Sequence, residues 1–150
     1  MKMKLFLLRH AEYNPDFSVA GDIDPGLSED GRKHAEVLAE KLAGETYDCI
    51  FVSPKKRTRE TILPLIGRLK NIEPTENNFL VEGDSLEETF GRARSFLDFL
   101  KKDFQSATVL ACGHQISLSC LALLAQGEPL ERLGDTEPFA YGEVRIFGVK

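Results

Sequence analysis

"LLRHAE", residues 7–12, closes an apolar run that begins at Leu5. Leu5, Phe6, Leu7 and Leu8 read as a buried strand, yet the strand ends on the two side chains best suited to handling an anion, Arg9 and His10. The arrangement recurs. Apolar runs at residues 47–52 and 108–112 are followed by Arg57, within "SPKKRTRET", and by His114, within "ACGH". Each run leads into a helical pattern, and that alternation predicts an α/β fold with parallel strands and crossover helices. In open sheets of this kind, sites form outside the carboxyl ends of the strands. Three strand ends would therefore deliver two guanidiniums and two imidazoles to one crevice.

The helices are read from capping and spacing. Ser28 can cap a helix whose apolar positions Ala35, Leu38, Ala39 and Leu42 follow the i, i+3, i+4, i+7 rhythm, with Glu29 and Asp30 in its first turn and Gly44 as a stop. "SPKKRTRETILPLIGRL" predicts a turn and a helix, with Pro54 at an early helical position and Pro64 as a kink. Residues 71–89 carry six carboxylates and no Lys or Arg, and read as an irregular acidic stretch, either a solvated linker or an acid-bearing loop. Phe90, Ala93, Phe96, Leu97 and Leu100 mark a further amphipathic helix. "ISLSCLALLA" is apolar nearly all round and predicts a buried helix, and "EVRIFGV" a final edge strand.

With 150 residues, 42% hydrophobic and 29% charged, the chain is expected to fold as one domain over residues 1–150. A net charge of −5 argues against nucleic acid and acidic membranes as partners, so an anionic substrate must be held by local charge. The four-residue apolar run before Arg9 is too short for a leader or a membrane span, and a cytoplasmic location is the expectation. Cys49, Cys112 and Cys120 form no CxxC pair, which predicts reduced cysteines and no structural zinc. With only three histidines, scattered in sequence, neither a metal nor another cofactor is expected.

Absences remove competing chemistries. There is no GxGxxG or Walker loop. A cysteine phosphatase needs an arginine six residues after its thiolate, but those positions hold Lys55, Leu118 and Gln126. "DIDPG", residues 22–26, mimics an aspartyl-phosphate loop, but no apolar strand leads into it, so it reads as a turn. His34, placed mid-helix beside Lys33, reads as a surface or boundary residue.

Two guanidiniums and two imidazoles suit a phosphoryl group. Each arginine offers a bidentate fork, and a unit charge pair ~4 Å apart at an effective dielectric of ~20 gains about 4 kcal/mol before desolvation. One histidine can then take the phosphoryl group while the other donates a hydrogen bond to its oxygens.

These stretches together resemble the signatures of the histidine phosphatase superfamily, the phosphoglycerate mutase-like proteins. "LLRHAE" is similar to LxRHGE, "LSEDGRKHA" to LTxxGxxQA, "SPKKRTRET" to SPxxRxxxT, and "ACGH" to the second-histidine motif. The resemblance implies a three-layer α/β/α sandwich with a mostly parallel sheet. It also implies that His10 is the phosphorylated nucleophile, that Arg9 and Arg57 bind phosphate, and that His114 completes the pocket. Ala11 stands where the family has glycine. The larger members carry a glutamate as general acid in an insertion that this chain lacks; Glu82 and Asp84 are the carboxylates nearest that place.

Short length, "SPKKRTRET" and "LVEGDS" most resemble the SixA-type branch, which acts on phosphohistidine. Imidazole leaves readily where an alkoxide needs an acid, so a site without a placed carboxylate suits P–N bonds. The expectation is a metal-independent phosphatase working through phospho-His10 on a phosphorylated substrate, with protein phosphohistidine favoured. The alternatives are a phosphatase of a small phosphorylated metabolite and a catalytically weak phosphate-binding module.

Overall fold

A computed structural model describes residues 2–14 and 24–150. Alternation along the first strand, β1 (Met3–Arg9), sorts the molecule into layers. Leu5 and Leu7 project into one hydrophobic cluster and Phe6 and Leu8 into another, on the opposite face of the sheet. A strand buried on both faces cannot lie at the surface, and β1 is flanked by β4 (Thr108–Gly113), parallel to it, and by β5 (Val144–Val149), antiparallel. With β2 (Cys49–Val52) and β3 (Pro74–Glu76), the sheet has the order β3-β2-β4-β1-β5, and every pairing but the last is parallel. The expected edge strand is β5, with Ile146 half exposed.

Helices α1 (Glu29–Leu42) and α2 (Lys56–Leu69) cover the Phe6 and Leu8 face through Leu38, Leu42, Ile62 and Leu65. Helices α3 (Leu86–Asp103) and α4 (Gln115–Ala125) cover the other through Phe96, Leu100, Leu118 and Leu121. This is the expected three-layer α/β/α sandwich. Because β4 lies between β2 and β1, the helices leaving neighbouring strand ends depart to opposite faces: α1 and α2 to one, α4 to the other. That divergence opens a crevice beyond the carboxyl ends of β1, β2 and β4.

Ser28 caps α1, its side chain accepting from the Gly31 amide. Two local readings differ. Pro54 precedes α2 rather than entering it, since Lys55 is the cap residue, and the helix runs through Pro64 to Leu69. The acidic stretch is not wholly irregular: it contains β3 and a 3-10 turn at Asn78–Leu80, which Asn77 caps and Leu80 anchors by full burial. Elements of three residues are too short to show periodicity. Asp22 and Ile23 of "DIDPG" lie outside the described residues, while Gly26 accepts from the Asn14 amide beside the Tyr13–Leu27 bridge. The three cysteines are free. Among the described residues no helix is long and apolar enough to cross a membrane.

Gly31 and Gly91 make opposite predictions from the same substitution. Alanine in a helix interior normally stabilises by about 0.5–1 kcal/mol over glycine, and Gly91→Ala in α3, where a Cβ meets nothing within 4 Å, should follow that rule. At Gly31 a Cβ would lie 2.0 Å from the Glu12 carbonyl oxygen, so Gly31→Ala should destabilise by about 1–3 kcal/mol. Urea midpoints at unchanged m-value measure both. A stabilised Gly31→Ala would mean that the segment after His10 does not pack on α1.

Candidate active site

Parallel register brings the strand ends level. Arg9 pairs with Gly113 and Val52 with Cys112, so the residues that follow, His10, Ser53 and His114, emerge at one edge of the sheet. The His10 amide donates to the Gly113 carbonyl and the Ser53 amide to that of Cys112, which continues the ladder into the site. Arg57 arrives from the first turn of α2. The four basic residues expected from sequence do converge.

Two contacts define the His10 ring. Its Nδ1 lies 2.8 Å from the Ala11 carbonyl oxygen, an acceptor only, so Nδ1 carries the proton. Its Nε2 lies 3.4 Å from Arg57 Nε, a donor only, so Nε2 presents a lone pair. Ala11 is held in turn by its amide, which donates to Thr61 Oγ1 at 3.0 Å. His10 is buried, and burial, together with the Arg57 and Arg9 charges, lowers its pKa from 6.5 to about 4 against the opposing pull of the Ala11 carbonyl.

His114 lies with its ring centroid 5.3 Å from that of His10. Its Nε2 is 2.8 Å from Ser53 Oγ, and that oxygen already accepts from the Lys55 amide. A serine oxygen accepts from two donors and gives one hydrogen, so this pair forms with either tautomer of neutral His114. Burial lowers the His114 pKa to about 3, aided by Arg57 and other nearby cationic groups. Nδ1 is buried and, among the described residues, has no hydrogen-bond partner. Arg9 Nε shares that condition, although Arg9 Nη1 donates to the Phe139 carbonyl at 2.7 Å. Two buried nitrogens without partners among the described residues, beside the unprotonated Nε2 of His10 and the Arg57 guanidinium, form a receptor for an anion.

Each arginine is also backed by an aromatic ring. Tyr141 lies 4.2 Å from the Arg9 guanidinium carbon and Tyr13 lies 5.3 Å from that of Arg57. The two rings meet edge to face and both reach His10. Asp24 stands 4.0 Å from Arg57, a loose pair.

Of the two candidate acids, Glu82 is near enough to Arg57 and Arg9 to feel their charges, and Asp84 lies on the surface. Glu82 Oε1 accepts from the Ile116 amide at 3.4 Å, at the start of α4. Burial raises its pKa above the ordinary 4.5, against the opposing influence of that amide and of the Arg57 and Arg9 charges. Asp84 is exposed, its amide tied to Glu88 Oε2. Sequence reasoning missed Ser53, Tyr13 and Tyr141. Ser53 heads the quoted "SPKKRTRET" and could have been singled out as a strand-end residue; nothing marked the tyrosines. Among the described residues no group of three or more His, Cys, Asp or Glu is placed to hold a metal ion. His34 is partly buried, its ring packed against Gly142.

The profile of the histidine phosphatase superfamily (branch 1) matches residues 5–84, more than half of the chain. The chain belongs to that superfamily and is a phosphatase. Phosphoserine phosphatase 1 of Hydrogenobacter thermophilus is 29% identical over an alignment covering 87% of this chain and 79% of that protein. Among solved structures, a mycobacterial glucosyl-3-phosphoglycerate phosphatase superposes with a TM-score of 0.83 at 18% identity, covering 97% of this chain and 90% of its own. SixA from Agrobacterium tumefaciens superposes at 0.75 and 20% identity, covering 97% and 91%. At such identities the structural likeness speaks for the fold.

The lowered pKa values predict a titration. In the free protein, the imidazole resonances of His10 and His114 should stay in their neutral positions from pH 8 down to about 5. Unfolded histidines take up protons near 6.5, so these two contribute stability that is present above 6.5 and lost as pH falls through about 4 and then 3. A resonance of either residue moving with a midpoint near 6.5 would contradict the burial argument.

Proposed function

We propose that this protein hydrolyses phosphate monoesters of small molecules through a phosphoryl group carried on His10 Nε2, without a metal ion. One observation carries the reading: the unprotonated, buried Nε2 of His10 lies beside Arg9 Nε and His114 Nδ1, two buried nitrogens that have no partner among the described residues. A phosphoryl group set there accepts from Arg9 Nε and, with the His114 proton on Nδ1, from that nitrogen, and it receives the fork of Arg57, whose bond to His10 is long and readily exchanged. These donors spread over the equatorial oxygens, where charge is held in the transition state.

In the first step the Nε2 lone pair forms the N–P bond as the ester P–O bond breaks, and Glu82 gives its proton to the leaving oxygen. In the second, water attacks phosphorus, its proton passes to the Glu82 carboxylate, and the N–P bond breaks to release inorganic phosphate. An alkoxide whose conjugate acid approaches the pKa of water, ~15.7, needs such an acid. The preference for phosphohistidine rested on the lack of a placed carboxylate; Glu82, partly buried and within the field of Arg57 and Arg9, supports an acid at the site instead. The phosphoserine phosphatase relative also supports an alkyl ester. A second reading, protein phosphohistidine as substrate, draws on Tyr13 and Tyr141, whose rings would pack on an imidazole leaving group.

His10→Ala should abolish turnover. Arg57→Lys keeps the charge but loses the planar fork, and should lower kcat by about 10². Glu82→Gln separates the readings: hydrolysis of phosphoserine and other alkyl esters should fall by about 10² or more, while phosphoramidate, whose leaving nitrogen needs less proton assistance, should be affected far less. Near-normal alkyl ester hydrolysis in Glu82→Gln, with P–N substrates the better ones, would hand the conclusion to phosphohistidine. No turnover of either class would leave a phosphate-binding module. Chelator should change no rate; loss of activity restored by a divalent metal would refute the metal-free mechanism.

A further inference from the structure

Arg9 lends its buried Nε to the phosphate pocket, yet little holds the guanidinium that carries it. Arginine presents five donors. Among the described residues this one is tied by one hydrogen bond, from Nη1 to the Phe139 carbonyl at 2.7 Å. Unlike Arg57, with Asp24 beside it, Arg9 has no ion pair among them. A single bond leaves the guanidinium plane free to pivot about the Nη1···O line, and that pivot would swing Nε away from its target. The remaining contact is a ring face: Tyr141 lies 4.2 Å from the guanidinium carbon. One turn supplies both contacts, and it is well braced. The Ala140 amide donates to Glu143 Oε1 and the Glu143 amide to the Ala140 carbonyl, while the Gly142 amide donates to the carbonyls of Arg9 and His10. Arg145 stacks on the Phe139 ring at 4.0 Å. The backbone that carries Tyr141 is therefore fixed against the strand end that carries Arg9.

We propose that Tyr141 is a positioning residue that acts through Arg9: its ring face holds the guanidinium in the plane that aims Nε at the phosphoryl oxygens. The inference rests on the reading above that Arg9 grips the transferred phosphoryl group. A cation over an aromatic face is attracted by the ring quadrupole, more strongly where water is excluded, and Arg9 Nε is buried. The attraction weakens as the cation leaves the face, so it resists the pivot that the Phe139 bond permits. Donors held in place before the reaction stabilise transition-state charge without reorganising, so loss of the ring should appear mainly in kcat. Tyr13 does not duplicate the role, because it backs Arg57, at 5.3 Å. An effect that passes through the phosphoryl group is the same whatever alcohol or amine departs. That property separates this role from packing of Tyr141 against a leaving group.

Tyr141→Leu removes the ring face and Tyr141→Phe keeps it. Phosphoserine, phenyl phosphate and phosphoramidate differ in leaving group and share the phosphoryl group. Tyr141→Leu should lower kcat about tenfold for each of them, with a smaller rise in the inhibition constant of inorganic phosphate, and Tyr141→Phe should recover to within about threefold of wild type. An unchanged kcat in Tyr141→Leu overturns the proposal, as does a Tyr141→Phe as slow as Tyr141→Leu. A loss confined to phenyl phosphate, or absent with phosphoramidate, places the ring against the leaving group and overturns it too. NMR of the free protein supplies a measurement that does not depend on Tyr141→Leu folding. The Tyr141 ring current should move the Arg9 Nε proton upfield in the wild type and in Tyr141→Phe, and an Arg9 Nε proton at its unfolded-chain position overturns the proposal. A wild-type protein that turns over none of these substrates overturns the functional reading instead, and the resonance still decides the role of Tyr141.

Discussion

The hydrogen bond from His10 Nδ1 to the Ala11 carbonyl sets the chemistry of this protein. It fixes the tautomer, turns Nε2 toward Arg57, and does so with a carbonyl that cannot move without dragging the end of β1. That carbonyl is held because the Ala11 amide is bonded to Thr61 on α2 and the His10 amide to Gly113 on β4. The following residue, Glu12, is pressed against the first turn of α1, where only glycine fits at position 31. A strand, two helices and a neighbouring strand thus hold one imidazole edge. The arrangement presents an unprotonated nucleophile at neutral pH, because burial disfavours the charged ring and the nearby guanidiniums reinforce that preference.

An acidic protein can hold an anion only by concentrating its cations, and the segment after the last 3-10 turn contributes to that. The Phe139 carbonyl anchors Arg9, the Tyr141 ring covers its guanidinium, and the Gly142 amide donates to the carbonyls of Arg9 and His10. Gly142 has a φ of 67° and packs against the His34 ring, so this segment has little room for a side chain there. Arg145, stacked on Phe139 and paired with Glu143, stiffens the same turn. With Arg9 held on one side, its free Nε is aimed rather than floppy, which is what preorganised stabilisation of phosphoryl charge requires.

The layers and the four basic residues were legible because both follow from short-range rules. Leu5 through Leu8 show a strand buried on two faces, and a charged residue directly after such a strand has only the sheet edge to go to. Ser53 was visible in principle by the same rule. Glu82 was nameable only as a candidate, since its place depends on Leu80 being buried in a 3-10 turn and on the α4 amide of Ile116, two features set by tertiary packing. The tyrosines were not legible at all: Tyr13 lies three residues after His10, but Tyr141 lies 131 residues after His10, and no local pattern joins them. The small strand β3 escaped because three residues at a sheet edge carry no periodicity.

The tautomer of His10 is the central claim, and the site of phosphorylation tests it most directly. Protein mixed with substrate and quenched in alkali within its first turnover preserves a phosphohistidine, and phosphorus NMR of the isolated peptide distinguishes the two ring nitrogens. The geometry predicts phosphate on Nε2 of His10 alone. Phosphate on Nδ1, or on His114, or on no histidine at all, would contradict it.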